Sequence, residues 1–223
     1  MIPTLQKLQK DAWRTSGARY NAARRLRRRE FFATVSFALM SALTVAAAFI
    51  QRVYAQPASN ADNYLSTFSA SLGIFLLTLS LIEWGAKPGA ISEALHLNAE
   101  KLSAFWRKVA FKISAVQSGQ QMLWPEVQAL LDEYDALKAD CRHNHEPLDD
   151  AYFKTHHRAD YPDAPGVRKT WWQWQFSSVW YIAVLWMLLL ALASPLFFSE
   201  CMWKPCEVPN AAAKASSPAV PSK

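Results

Sequence analysis

Residues 31–50 read FFATVSFALMSALTVAAAFI, twenty positions without a charge. A helix rises about 1.5 Å per residue, so about 20 residues cross a hydrocarbon core of roughly 30 Å. Residues 64–82 and 171–199 are likewise uncharged over nineteen and twenty-nine positions. Buried helices of soluble proteins seldom stay uncharged for so long, so three blocks of this kind argue against a soluble core. The reading is an all-α integral membrane helical protein, with three transmembrane helices and a cytoplasmic helical hairpin between the second and third. The expected boundaries are a basic amphipathic helix over 1–30, spans over 31–50, 64–84 and 171–199, an outer loop over 51–63, a helical domain over 85–170, and an outer disordered tail over 200–223.

Charge orients this layout. The chain of 223 residues carries a formal net charge of +6. Residues 1–30 hold nine basic side chains (Lys7, Lys10, Arg14, Arg19, Arg24, Arg25, Arg27, Arg28, Arg29) against Asp11 and Glu30, whereas 85–170 is nearly balanced. The excess is therefore juxtamembrane, which points to anionic lipid rather than nucleic acid as its partner. Arg24, Arg25, Arg27, Arg28 and Arg29 are the expected lipid contacts. Positive-inside topology puts the N-terminus in the cytoplasm of a bacterial inner membrane and the C-terminus outside. Arg28-Arg29 also allow a twin-arginine export signal, but the apolar run is long for one and Arg52 precedes the only plausible cleavage site. Residues 1–30 are expected to lie on the membrane surface or to run straight into the first span.

The middle domain shows helical stripes. Ile91, Leu95, Leu102, Phe105, Val109, Ile113 and Val116 recur at helical steps, and Val127, Leu130, Leu131, Tyr134, Leu137 and Cys141 do so after Trp124-Pro125. Two facing stripes predict an antiparallel hairpin or packing between subunits. Lys87-Pro88-Gly89 predicts a kink or turn before it. Cys201 and Cys206 could pair on an oxidising outer side.

Little here suggests chemistry. No nucleotide-binding, hydrolase or CxxC motif is present. The cluster His143-Asn144-His145-Glu146, with Asp149-Asp150 and His156-His157, fits no standard metal spacing and reads as polar groups at helix ends. No catalytic residue, cofactor or metal is expected, and the chain is read as a non-enzyme. The spans hold no mid-membrane charge and no inverted repeat, which argues against a coupled transporter. Thr34 and Ser41 share one face of the first span, and Thr67, Ser71 and Thr78 one face of the second. They could pack between helices or line a pore built from several copies, since three spans cannot enclose one.

Trp13, Arg19, Arg24 and Arg25 precede two close-set spans and a helical hairpin ending in Tyr134, Asn144, His145, Glu146, Asp149 and Tyr152. Over residues 10–155 this resembles the SLATT-domain family of bacterial membrane effectors. The resemblance implies antiviral defence: a homo-oligomer that breaches the membrane when a signalling partner, a nucleotide sensor or defence enzyme encoded nearby, reports infection. It implies no residue-level mechanism. The third apolar block is outside the stretch that resembles the family and reads as an added anchor. The alternative is a non-catalytic membrane scaffold or receptor that recruits a soluble partner through 85–170.

Overall fold

The computed structural model describes residues 1–198, and among them every regular element is helical. In chain order these are α1 (Ile2–Tyr54), α2 (Asn60–Ala86), α3 (Pro88–Gln117), α4 (Trp124–Ala139), α5 (Pro147–His156), α6 (Val167–Phe176) and α7 (Trp180–Phe198). The expected tail and the Cys201/Cys206 pairing lie outside the described residues.

α1 is one uninterrupted helix of 53 residues, about 80 Å long. The basic N-terminal segment therefore runs straight into the first apolar block. At the far end Asp62 ties the turn: its carboxylate accepts from the Gln51 side chain at 2.7 Å and from the Ala58 N–H at 3.0 Å. Ser59 caps α2 by accepting from the Asp62 N–H at 3.2 Å.

α2 and α3 are separated by Lys87 alone, whose φ of 44° is left-handed. Pro88 then opens α3 at a position that needs no N–H donor. Gly89 matters here because a Cβ on it would collide with the Glu30 carboxylate of α1. The joined α2–α3 rod runs antiparallel to α1 along its length. Ser16 donates to the Ala99 carbonyl and Ser92 to the Ala23 carbonyl, both at 2.8 Å.

Two cores result. In the first, Leu5, Leu8 and Ala12 of α1 pack with Phe105, Val109 and Ile113 of α3 and with Val127 and Leu130 of α4. The α3–α4 hairpin thus closes on the N-terminal half of α1 as a three-helix bundle. In the second, Ala33, Met40 and Ala47 of α1 meet Phe68, Leu72 and Leu79 of α2 and Ile182 and Leu189 of α7. Small residues on α1 let the apolar helices approach closely, as packing within lipid requires.

α1 and the α2–α3 rod are each long and apolar enough to cross a membrane. The third apolar block differs from the expected single helix. It is two helices, α6 and α7, bent by 64°. Ser177 and Ser178 stand at the bend, outside both helices. α7 is more than a peripheral anchor: Trp186 Nε1 donates to Ser36 Oγ at 3.0 Å and the Tyr64 hydroxyl donates to the Leu192 carbonyl. The protein is a helical membrane protein whose apolar segments pack as a bundle.

Candidate functional site

The densest polar assembly lies where α1 leaves its bundle and approaches the apolar block. Asp149 is at its centre. Pro147 opens α5, and Asp149 falls at the third helical position, where its carboxylate accepts the Glu146 N–H at 3.0 Å and caps the helix. The same carboxylate is fully enclosed. It accepts Nε and a terminal nitrogen of Arg25, each at 3.0 Å, and the Trp174 indole N–H at 3.1 Å. Asn21 completes the contact by donating to the Asp149 carbonyl at 3.1 Å. Helices α1, α5 and α6 thus converge on one carboxylate.

This arrangement answers the cost of burying charge. A buried ion is tolerable when geometry is good and its remaining polar positions are satisfied. Burial opposes the charge on Arg25, but its hydrogen bonds to Asp149 together with the negative charges of Asp149 and Glu146 outweigh it, and its pKa is raised. Arg14 pairs with Asp150 one residue on, at 2.6 and 2.7 Å. Burial would raise the Asp150 pKa, yet Arg14 and Lys154 hold it below the usual carboxylate value.

An aromatic column extends the site. Arg28 lies 4.3 Å over the Trp174 ring. Tyr152 stacks on the Trp174 ring, with centroids 4.5 Å apart and 5° between the planes. Arg28 also donates to the Trp174 carbonyl at 2.8 Å and to the Gln175 side chain. Trp13 makes an edge contact with Phe153 at 4.9 Å and with His157 at 4.7 Å.

Other expected residues are placed nearby. Arg19 is buried and donates to the Asn98 side chain and to the Lys138 carbonyl. The Tyr134 hydroxyl is 3.0 Å from that of Thr15. Asn144 is exposed and its side chain accepts the His145 N–H at 3.0 Å. Burial lowers the His145 pKa, and its Nδ1 is buried without a partner among the described residues. His156 and His157 bond the Tyr152 and Phe153 carbonyls at 2.9 Å, at the C-terminal end of α5. No metal-ligand cluster is found among the described residues.

The basic run divides in two. Arg25 is enclosed, Arg28 is bonded to α6, and Arg29 bonds Glu83 of α2 and the Tyr181 hydroxyl of α7 at 3.0 and 3.1 Å. These three have partners within the chain, Arg25 and Arg29 on carboxylates and Arg28 on the Trp174 ring. Arg24 and Arg27 remain exposed and line an open groove of about 620 Å³ with Tyr20, Glu93 and His96. The indole of Trp174 was missed because it sits inside an uncharged block. Its position seven residues after Val167 carries no sign of a partner on α5.

Of the hydroxyl residues in the spans, Ser36 is buried in the bundle, whereas most of those expected to face a pore are on the outside. Thr34, Ser41, Thr67 and Thr78 are exposed and Ser71 is half-buried. Thr34, Thr67 and Ser71 donate to carbonyls four residues back, at 2.9 Å each.

Comparison with curated proteins gives no match, and comparison with solved structures gives none. Residues 3–199 do match a family, described as the SMODS and SLOG-associating 2TM effector domain, family 5. The match extends past the 10–155 stretch of the resemblance and takes in α6 and α7, so the third apolar block is not an addition beyond the family's extent. Spanning nearly the whole chain, it shows that the protein belongs to this SLATT family of membrane effectors.

Proposed function

We propose that the chain is the membrane effector of a bacterial anti-phage system, which assembles into a homo-oligomeric pore and permeabilises the inner membrane on a partner's signal. The effector role follows from the family. The observation that carries the pore is the outward turn of Thr34, Ser41, Thr67 and Thr78. Their face is not used in the bundle of α1, α2 and α7. Hydroxyls bonded to their own helix tolerate lipid in a lone chain, and copies placed side by side would give them a weakly polar lining.

In this reading the N-terminus and the α3–α5 bundle are cytoplasmic and the chain after α7 is outside. The continuous α1 passes rearrangement from the Asp149 site to the spans. The chain acts by assembly rather than catalysis. The signalling partner is a nucleotide sensor or defence enzyme of the kind its family name associates with it. The test is dye release from liposomes holding the full chain, with and without the co-encoded partner and its trigger. Release only with the trigger is expected; sealed liposomes under a verified trigger overturn the pore.

A second reading has support from Phe111, Leu123 and Trp124. They are exposed at the same end of the α3–α4 hairpin and suit the docking of a soluble protein. A scaffold or receptor of that kind would form a stable complex and release no dye.

A further inference from the structure

α6 has two unlike faces. One carries Thr170 and Trp174, both buried against the protein. On the opposite side stand Trp172 and Phe176, about one turn apart, exposed, with rings stacked at 5.2 Å and 7°. At 100° per residue, Arg168 and Lys169 flank that outward pair, and both are exposed. An outward aromatic face edged by cations is unusual on a helix that has an apolar core available.

Depth explains it. α7 alone has 19 residues, about 28 Å, which already matches a hydrocarbon core of roughly 30 Å. α6 is not needed to span and is bent 64° from α7. Its level is fixed by its partners. Trp174 lies under Arg28 and bonds the carboxylate held by Arg25. Those arginines are three and six residues before the apolar run of α1 begins at Phe31, about 4 to 9 Å beyond the hydrocarbon edge. That is the layer in which interfacial amphipathic helices lie. Trp180 and Val184, early in α7, are exposed as well.

We propose that α6 is an in-plane membrane-docking helix. Its outer face sits in the headgroup layer of the bilayer crossed by α7, with Trp172 and Phe176 at the acyl boundary and Arg168 and Lys169 on anionic lipid phosphates. The opposite face holds Asp149 through Trp174, so the helix links the lipid surface to the buried ion pair. This surface stands independently of whether the spans form a pore.

The experiment uses the full chain with Cys141, Cys201 and Cys206 replaced by serine and a single nitroxide at Trp172→Cys. It is reconstituted in phosphatidylethanolamine–phosphatidylglycerol vesicles. Accessibility to oxygen and to a water-soluble nickel chelate reports depth. The expected result is a several-fold higher oxygen-to-chelate ratio at 172 than at a control label on Asp163→Cys in the preceding loop. Arg168→Glu with Lys169→Glu should lower that ratio, and so should omitting phosphatidylglycerol. Chelate access at 172 equal to that at 163 overturns the proposal. Exclusion of both reagents also overturns it, since it would mean that a second copy or another protein covers the face.

Discussion

The Arg25 guanidinium and the Asp149 carboxylate meet side-on, two nitrogens on two oxygens at 3.0 Å, inside a site where Asp149 is fully enclosed. Arg25 also reaches the exposed Glu146 at 2.9 Å, but removing either member of the enclosed pair leaves a buried charge without its main partner, at a cost of up to about 3–5 kcal/mol. Asp149→Asn should therefore lower the thermal midpoint of the detergent-solubilised chain strongly. Replacing both residues with apolar ones of similar size should be milder than either single change. If both single variants melt like the parent, the pair does not organise the fold.

Gly17 packs so closely that a Cβ there would overlap the Phe153 ring. That ring cannot simply swing aside, because Trp13 and His157 enclose it at 4.9 and 4.3 Å. Gly17→Ala should cost about 1–3 kcal/mol by overpacking and should loosen α5 from α1. Gly73→Ala in α2 meets open space and serves as the comparison. Hydrogen exchange over residues 147–156 should rise in the first variant and not in the second.

Much of this architecture is legible from the chain itself. Uncharged runs mark the apolar segments, and stripes such as Leu102, Phe105 and Val109 mark α3, because both signals are local. Asp149 and Tyr152 came from the resemblance, not from any local pattern. The partners of Arg25, Arg28 and Arg29 were not legible. A basic run before an apolar block looks the same whether its guanidiniums meet lipid or a carboxylate more than a hundred residues later. The bend between α6 and α7 was hidden for a related reason. Ser177 and Ser178 are tolerated inside transmembrane helices, so they do not read as a break.

His145 predicts a pH dependence. Burial lowers its pKa from the ordinary histidine value. The unfolded chain then binds more protons than the folded one as pH falls through about 6.5, so stability declines in that direction. The loss continues until pH passes the folded pKa. His145→Gln should flatten the stability profile between about pH 7.5 and the acid range where Asp150 begins to titrate. An unchanged profile would mean that His145 takes up its proton over the same pH range in the folded and unfolded chains.

Thr34→Leu with Ser41→Leu tests the lining directly. Both sites are exposed, so the changes should leave the stability within about 0.5 kcal/mol of the parent. They should nonetheless reduce triggered dye release, because an apolar lining disfavours water in a narrow pore. Undiminished release from both this variant and one with Thr67→Leu and Thr78→Leu would move the conducting surface elsewhere.

Glu83 joins the three apolar helices at one level. It is buried, pairs with Arg29 at 3.0 Å and accepts the Tyr181 hydroxyl. Its second oxygen, Oε2, is buried without a partner among the described residues. Glu83→Gln keeps the shape but removes the charge that holds Arg29, so α7 should separate more readily from α1 and α2. Glu83→Ala also removes the acceptor for Tyr181 and should do so further. A disulfide placed between α2 and α7 reads this out: its formation rate should fall in the order parent, Gln, Ala. Equal rates in all three would assign the association of α7 to the apolar contacts of Ile182 and Leu189 alone.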